Sequence, residues 1–354
     1  MDESRSQNFN HLKIHSQFSI CEGAVKIDDL KDFSKENKIK SLALCDTSNL
    51  CGALEFSEKL SKIGTQPIIG TQINFKYGEL IGLLPLYALN EEGYKRIIEL
   101  SSVSYLKNDN MTEPHVDFNE LLIKTEGIGI FSGTVFGLFG QLFDKGKFTE
   151  IDELYSKLKL KFKNNFYIEI QRHGDLNENA FEKFNLVKSL DFEIPIIATN
   201  EVFYLKKNMH EAHDALICIK NKTYINDKNR IKFSDQHYFK DDHEMNELFA
   251  DLPEALQNNY GRNNVKYVSG VSYKENGSYY DMVEDNINAA VREARNSDYI
   301  VLCLGENTYT EKPGDLNDLN LHQLQVKLAK KLAETGKPII LILNLGRPRL
   351  ISDI

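Results

Sequence analysis

Histidine and carboxylate side chains recur through the first 260 residues of this 354-residue chain. Imidazole nitrogens and carboxylate oxygens are the usual protein ligands of divalent metals, which can activate water for hydrolysis. They stand in four short blocks, His11-Leu12-Lys13-Ile14-His15, Cys45-Asp46, Arg172-His173 and Asn200-Glu201. Hydrolysis at a metal would require the fold to bring these blocks together.

A second group of reactive side chains lies near the C-terminus. Glu306, Glu311 and Asp315 follow the apolar run 299–304 closely. Neighbouring carboxyl groups can share general acid and base roles. The plainer interpretation, which we favour, is a solvated acidic loop beside a sheet.

The elements that must position the first group alternate between strand and helix patterns. A helical spacing of apolar residues covers 52–63, and apolar runs that end in polar residues predict strands, at 41–45, 67–70, 166–170 and 195–199. This alternation predicts a parallel α/β architecture with its site at the carboxyl ends of the strands. Periodicity alone does not separate a barrel from an open doubly wound sheet.

The chain changes character near residue 260, where we place a domain boundary between 1–260 and 261–354. An acidic amphipathic stretch at 241–259 predicts a closing helix, and 282–296 predicts another. Strands predicted at 299–304 and 338–344 enclose a helix at 321–334, which makes a βαβ unit with parallel strands. Because so few strands cannot cover both faces of a sheet, we expect the second part to be a truncated domain.

Composition narrows the class of protein. The net charge of -9 and the pI near 5.6 give no strong signal for direct nucleic-acid binding. The first residues lack the pattern of a signal peptide, and no apolar run is long enough to cross a bilayer. Five cysteines without CxxC spacing indicate free thiols in a reducing compartment. We therefore expect a cytoplasmic protein without membrane contact.

Several blocks in the first part match one known family in order and spacing. They are residues 11–16, 43–50, 67–72, 167–174, 197–205 and 211–219. Residues 9–260 resemble the polymerase and histidinol phosphatase (PHP) domain that begins the alpha subunit of bacterial DNA polymerase III. The resemblance implies a distorted βα barrel that holds a cluster of divalent metals for phosphoester hydrolysis.

The metal-binding pattern of that family is eroded in this sequence. Family ligands are replaced at five positions, by Lys13, Thr47, Gln72, Thr134 and Phe203. The remaining ligands that the resemblance implies are His15, Asp46 and His173, with Glu22 and Glu201 as weaker ones. These donors could hold one residual Zn, Mn or Mg ion but not a multi-metal cluster, so we expect no functional cofactor.

The resemblance also implies a role for such a domain. In the family it is the N-terminal body of the replicative polymerase and, in many bacteria, it docks the separate proofreading exonuclease subunit. The first hypothesis is therefore a non-catalytic scaffold with that subunit as its partner. The alternative is a residual metal-dependent phosphoesterase or 3'-5' exonuclease.

The C-terminal part resembles a different family. Residues 298–316 and 336–349 are similar to the second, α/β-sandwich domain of family 3 glycoside hydrolases, the β-glucosidase group. The resemblance implies that Glu311 is the general acid/base, with Glu306 and Asp315 as its neighbours. A retaining glycosidase needs a second carboxylate as nucleophile, and the family takes it from a domain that has no counterpart here. A glycosidase fragment is thus a second hypothesis, and a chimeric join without a single function is a third.

Overall fold

The structure, a computed structural model, describes residues 9–108, 112–260, 267–274, 281–306, 319–345 and 349–352. The chain divides into two compact units. The first comprises Met1–Leu248 with Glu254–Gly261, and the second comprises Phe249–Pro253 with Arg262–Ile354. Each unit has its own sheets, and each is considered by itself.

The first unit is built on a nine-stranded sheet. Its strands are β1 (Lys13–Ile14), β2 (Ser41–Thr47), β3 (Gln66–Tyr77), β4 (Leu80–Ala88), β5 (Val116–Asp117), β6 (Ile128–Phe131), β7 (Phe166–Ile170), β8 (Ile196–Ala198) and β9 (Glu201–Val202). The order across the sheet is β8-β7-β6-β4-β3-β2-β1-β9, and β5 pairs with β3 outside this path.

Helices connect these strands. They are α1 (Ile27–Glu36), α2 (Ala53–Lys62), α3 (Glu91–Leu106), α4 (Phe118–Leu121), α5 (Leu138–Asp144), α6 (Phe148–Phe162), α7 (Glu178–Asp191), α8 (His210–Lys220), α9 (Asp242–Leu248) and α10 (Pro253–Tyr260). The helix predicted at 241–259 is therefore two helices. The second begins at Pro253, because proline lacks the amide hydrogen that a helix interior needs but fits its first turn.

The sheet curls until its two edges meet. Strands β8 and β9 stand at opposite ends of the strand order, yet only Thr199 and Asn200 separate them in sequence. Since consecutive Cα atoms are about 3.8 Å apart, so short a link keeps the two edges within about 11 Å of each other. This geometry confirms the predicted α/β fold class, a distorted barrel of PHP type.

The sheet is mixed rather than wholly parallel, which corrects one expectation. Strand β4 runs antiparallel to both β3 and β6, whereas β6-β7, β7-β8, β2-β3, β1-β2 and β1-β9 are parallel. The reversal occurs at a two-residue turn between Tyr77 and Leu80, in which Gly78 adopts a φ of +59°. Glycine takes this left-handed conformation without steric cost, so the chain folds straight back as a hairpin.

The core of the first unit lies between the sheet and the helices outside it. Ile14, Leu44 and Val202, from three neighbouring strands, are almost fully buried against Leu30 of α1 and Phe56 of α2. Burial of each such side chain contributes about 1.5–3 kcal/mol to folding. This packing fixes the strand ends from which the polar side chains project.

The second unit contains the predicted parallel βαβ arrangement. Its elements are β10 (Val271–Tyr273), β11 (Met282–Glu284), α11 (Ile287–Arg295), β12 (Ile300–Gly305), α12 (Gln323–Ala333) and β13 (Ile339–Asn344). Strands β12 and β13 are parallel and α12 lies between them in sequence, as expected. The helix predicted at 282–296 starts later, because Met282–Glu284 pairs with β10 and Asn286 then caps α11 by accepting the Ala289 amide at 2.8 Å.

Candidate functional site

A buried lysine lies at the centre of the polar cluster in the first unit. Lys13 of β1 is 1% exposed, and its Nζ lies 3.3 Å from Glu201 Oε1 and 3.6 Å from Glu169 Oε2. Burial alone would lower the pKa of this ammonium group, but the two carboxylates outweigh it and raise the pKa above its ordinary value. Lys13 is therefore a permanent cation between two buried anions.

Glu201 completes this arrangement from the neighbouring strand β9. Its Oε1 also lies 3.1 Å from His15 Nε2. Burial would raise the pKa of Glu201, yet the charge of Lys13 and the contact with His15 hold it well below its usual range. The predicted residues His15 and Glu201 are thus in contact, and Lys13 shares the same carboxylate.

Asp46, at the end of β2, is enclosed by hydrogen-bond donors. Its Oδ1 accepts from the Ser16 amide at 2.6 Å and from the Ser19 hydroxyl at 2.7 Å, and its Oδ2 accepts from the Ser16 hydroxyl at 2.7 Å. Burial raises the pKa of Asp46 in spite of these donors, which lower it. Ser19 also contacts His15 Nδ1 at 3.4 Å, so Asp46 and His15 are linked through one hydroxyl.

Glu22 belongs to a second chain of contacts at the rim. The Thr47 hydroxyl donates to Glu22 Oε2 at 2.5 Å, and the Gln72 amide donates to the Thr47 hydroxyl at 2.9 Å. Lys220 Nζ lies 3.4 Å from the other oxygen of Glu22. Two of the replaced family positions, Thr47 and Gln72, are therefore bonded to each other, and Thr47 is bonded to the predicted ligand Glu22.

His173 follows β7 and lies on another side of the cluster. Its Nδ1 lies 3.1 Å from Glu178 Oε1, and its Nε2 accepts the Glu201 amide at 3.1 Å. Burial holds the pKa of His173 well below its ordinary value, and the neighbouring His237 lowers it further. His173 is thus neutral at pH 7 and reaches the cluster through the backbone of Glu201.

The sequence analysis missed Glu169, which carries one of the two charges beside Lys13. Its Oε1 accepts from Gln171 Nε2 at 2.9 Å and from the Thr199 hydroxyl. The available signal was a carboxylate inside the otherwise apolar strand Phe166–Ile170. Buried carboxylates are costly unless they are paired, so such a position should be read as a partner for a buried cation.

These contacts do not fit the multi-metal centre that the family implies. The Lys13 ammonium group already lies between Glu169 and Glu201, and it would repel a divalent cation there. Both oxygens of Asp46 accept hydrogen bonds, and Phe203 packs its ring 4.8 Å from that of His15. The polar side chains of this cluster are bonded to one another through ion pairs and hydrogen bonds.

Of the three acidic residues singled out near the C-terminus, the structure describes Glu306, which lies in the second unit. Glu306 follows β12, and its Oε1 accepts from Arg349 Nε at 2.7 Å and also from Arg349 Nη2. This ion pair is buried on both sides. Glu311 and Asp315 lie outside the described residues.

The first unit is an α/β barrel whose polar groups gather at the rim where such barrels carry their sites. The sequence profile of the PHP domain matches residues 11–173, and that of the glycosyl hydrolase family 3 C-terminal domain matches residues 105–354. The first part of the chain is therefore similar to the PHP domain, and the match over residues 105–354 shows that the chain belongs to the glycosyl hydrolase family 3 C-terminal domain family.

The two matches overlap over residues 105–173. This stretch contains the whole of β5, β6 and β7. In the nine-stranded sheet, β5 pairs with β3, β6 pairs with β4, and β6 pairs with β7. We therefore assign the overlap to the barrel. The block 298–349, which carries the glycoside hydrolase resemblance, lies in the second unit.

Curated relatives of the first part are DNA polymerase III alpha subunits. The subunit of Caulobacter vibrioides is 35% identical over 271 residues, or 73% of this chain and 23% of the relative. That of Rickettsia conorii is 37% identical over 255 residues, or 71% of this chain and 21% of the relative. The chain thus spans less than a quarter of the length of these relatives.

One solved structure shows a low similarity to this chain. A two-domain protein from Bacteroides vulgatus, described as containing a predicted PHP-like metal-dependent phosphoesterase, is 14% identical. Its TM-score is 0.37, with 78% of this chain and 73% of that chain covered. Separately, no helix in the described ranges combines the length and the apolar composition that a membrane span requires.

Proposed function

We propose that residues 1–260 form a non-catalytic scaffold, the PHP domain of a replicative DNA polymerase III alpha subunit. The observation that carries this proposal is the buried ion pairing of Lys13 with Glu169 and Glu201. Lys13 stands where the family has a histidine ligand, and its charge takes over the neutralising role of a metal. A site neutralised in this way stabilises the barrel but cannot activate water by metal coordination.

The hydrogen bonds of the replaced positions support the same proposal. Gln72 donates to Thr47, and Thr47 donates to Glu22, which ties β2 and β3 to the loop after β1. Catalytic ligands must leave an open coordination position for substrate or water. A network whose members satisfy each other is suited to holding loops in place.

An assay for metal-dependent phosphoesterase activity tests the loss of catalysis. The intact chain, treated with chelator and resupplied with Mn²⁺ or Zn²⁺, should hydrolyse an aryl phosphodiester no faster than buffer does. The informative control is Asp46→Asn, which removes a charged ligand while keeping the shape of the side chain. Chelator-sensitive turnover that this substitution abolishes would contradict the proposal and favour the residual phosphoesterase or 3'-5' exonuclease.

We further propose that this scaffold docks the proofreading exonuclease subunit. The support is the similarity to the PHP domain together with the replaced ligand positions Lys13, Thr47 and Gln72, which are engaged by neighbouring side chains. Isothermal titration of the intact chain with the cognate exonuclease subunit should give a Kd of about 1 μM or tighter, equivalent to about −8 kcal/mol. The same titration with an unrelated acidic protein is the control. An absence of heat at micromolar concentrations would count against docking.

For residues 261–354 we propose no glycoside turnover of their own. Glu306, the acidic-group residue that the structure describes, is committed to Arg349, and a retaining mechanism needs two free carboxyl groups. A chimeric join remains our explanation of the whole chain. Limited proteolysis with intact-mass readout across 258–264 tests this explanation. A resistant piece that ends near residue 260, with the tail digested, would show that residues 261–354 are an unfolded segment joined to the first part. Release of aryl glucoside would instead establish a glycosidase.

A further inference from the structure

An exposed segment at the end of α8 combines basic and apolar side chains. Residues 219–232 contain five lysines and arginines and one carboxylate, in a chain whose formal net charge is -9. Five positive charges and one negative charge leave the segment at +4, so the remaining residues together carry -13. The large apolar side chains of the segment are between 56% and 84% exposed, and they are Ile219, Tyr224, Ile225 and Ile231.

The segment is bonded to α8 and to itself. Arg230 pairs with both carboxylate oxygens of Asp214 on α8, at 2.5 and 2.6 Å, and its Nε donates to the Ile225 carbonyl at 3.0 Å. The Asp227 amide donates to the Tyr224 carbonyl at 3.0 Å. Asp214 precedes the end of α8 by less than two helical turns, or about 9 Å along the axis. The segment therefore folds back over a short stretch of surface and presents its apolar side chains from an ordered backbone.

Two of the five cations are already paired within the first unit. Arg230 is bound to Asp214, and Lys220 Nζ lies 3.4 Å from a carboxylate oxygen of Glu22. The other three are exposed and form no ion pair with any residue that the structure describes, and they are Lys222, Lys228 and Lys232. The surface thus offers three hydrated ammonium groups beside exposed apolar side chains.

This combination of groups discriminates between kinds of partner. Exposed apolar side chains that are rimmed by polar groups are typical of interaction sites. A nucleic acid would neutralise the lysines through its phosphates, but Tyr224 is the one aromatic ring of the segment on which a base could stack. The three isoleucines would then remain largely in water. A protein segment with carboxylate and apolar side chains would match both the lysines and the isoleucines.

We propose that residues 219–232 form a docking surface for an acidic protein segment that carries large apolar side chains. Carboxylates of the partner pair with Lys222, Lys228 and Lys232, and its apolar side chains pack on the exposed tyrosine and isoleucines. Because these ion pairs lie at the surface, salt weakens the complex. The surface follows from the charges and exposure of this segment, and it rests neither on exonuclease docking nor on the loss of catalysis.

The test is fluorescence anisotropy of a labelled peptide titrated with the intact chain. The peptide has about 16 residues, with leucines on one face of a helix and glutamates on the other. We expect a Kd of about 100 μM at low salt. A second peptide has glutamine in place of each glutamate, and a third has serine in place of each leucine. Each should bind at least about tenfold more weakly, and neither comparison requires a variant of the protein.

Reversing the three unpaired charges tests the surface itself. The combined variant Lys222→Glu, Lys228→Glu and Lys232→Glu should bind the acidic peptide at least about tenfold more weakly. The matched control combines Lys35→Glu, Lys38→Glu and Lys157→Glu, which changes the net charge equally at exposed lysines elsewhere in the first unit. Lys38 also has nearly the same left-handed φ as Lys222, 52° against 51°. This control should leave the Kd unchanged, and circular dichroism establishes that both variants fold.

Four results would overturn the proposal. The first is an absence of peptide binding at about 1 mM chain. The second is equal binding by the triple variant and its control, or by the three peptides. The third is a thymidine oligonucleotide that binds more tightly than the peptide and is lost in the triple variant, which would reassign the surface to nucleic acid. The fourth is a dimer of the chain alone that the triple variant dissociates in sedimentation, which would make a second copy the occupant.

Discussion

Lys13 and Glu201 are register neighbours on the parallel strands β1 and β9, and the ammonium of one lies 3.3 Å from the carboxylate of the other. The pair joins the first strand of the barrel to the last, beside the edge at which the sheet closes. Because Glu169 of β7 contacts the same ammonium, one cation connects three strands. This relationship explains why a lysine is tolerated at a buried position.

Replacing Lys13 with methionine tests that role. Lys13→Met keeps the length of the side chain but leaves Glu169 and Glu201 buried without their cation, so we expect a loss of about 3–5 kcal/mol in unfolding free energy. Urea denaturation followed by circular dichroism measures it. Lys59→Met, which removes an exposed ion pair with Asp28, is the control and should cost far less. Equal losses in the two variants would refute the central role of Lys13.

Stability should fall in acid partly through Glu201. Its folded-state pKa lies well below the ordinary value of 4.5, although burial alone would raise it, because Lys13 and His15 favour the charged form. A depressed folded pKa contributes stability above the unfolded pKa and loses it as the pH falls. The unfolding free energy should therefore drop more steeply below about pH 4.5 in the wild type than in Glu201→Gln. Parallel pH curves would show that Glu201 contributes nothing.

The cysteines should differ sharply in reactivity. Cys51 and Cys303 are exposed, whereas Cys45 and Cys218 are buried. Burial raises the pKa of Cys45 to about 12, so its thiolate form is negligible at neutral pH. Maleimide labelling with peptide mass spectrometry should modify the two exposed thiols in the native chain. The buried pair should react only after denaturation, and rapid native labelling of Cys45 would contradict the burial of β2.

Gly93 should not tolerate a side chain. A Cβ at this position in the first turn of α3 would lie 1.7 Å from the carbonyl oxygen of Gly127. Gly93→Ala must displace backbone, and we expect a loss of about 1–3 kcal/mol in unfolding free energy. Gly129→Ala is the matched control, because a Cβ there meets a Leu89 side-chain atom at 3.4 Å and should be close to neutral. Thermal melts of both variants measure the loss, and equal melting temperatures in the two variants would contradict the prediction.

Much of the fold could be predicted because apolar runs determine it locally. The strand at 166–170 was predicted at its observed bounds, and the parallel pairing of β12 and β13 follows from a helix between two buried strands. The reversal of β4 was missed because its direction depends on a two-residue turn rather than on apolar periodicity. The start of α11 was missed because Met282–Glu284 is a strand only when β10 pairs with it.

The candidate site was less accessible from sequence. Lys13 could be recognised as a cation at a ligand position, but its partner Glu169 could not, because the pairing joins residues 156 positions apart in different strands. Asp175 and His237 lie 62 residues apart, and their contact depends on how the segment after α8 packs. Long-range pairings of this kind follow from the closed sheet, and no local pattern records them.

The closure of the sheet between β8 and β9 also constrains how the chain folds during synthesis. Strand β1 holds only two residues, and one of its neighbours, β9, begins at Glu201. A ribosome must therefore produce more than half of the chain before the first strand can complete its pairing. Until then the Lys13 ammonium lacks its partners and stays hydrated. Lys13 is therefore buried only in a late step, which brings together residues that are far apart in the sequence. Charge burial and barrel closure should accordingly be a single kinetic event.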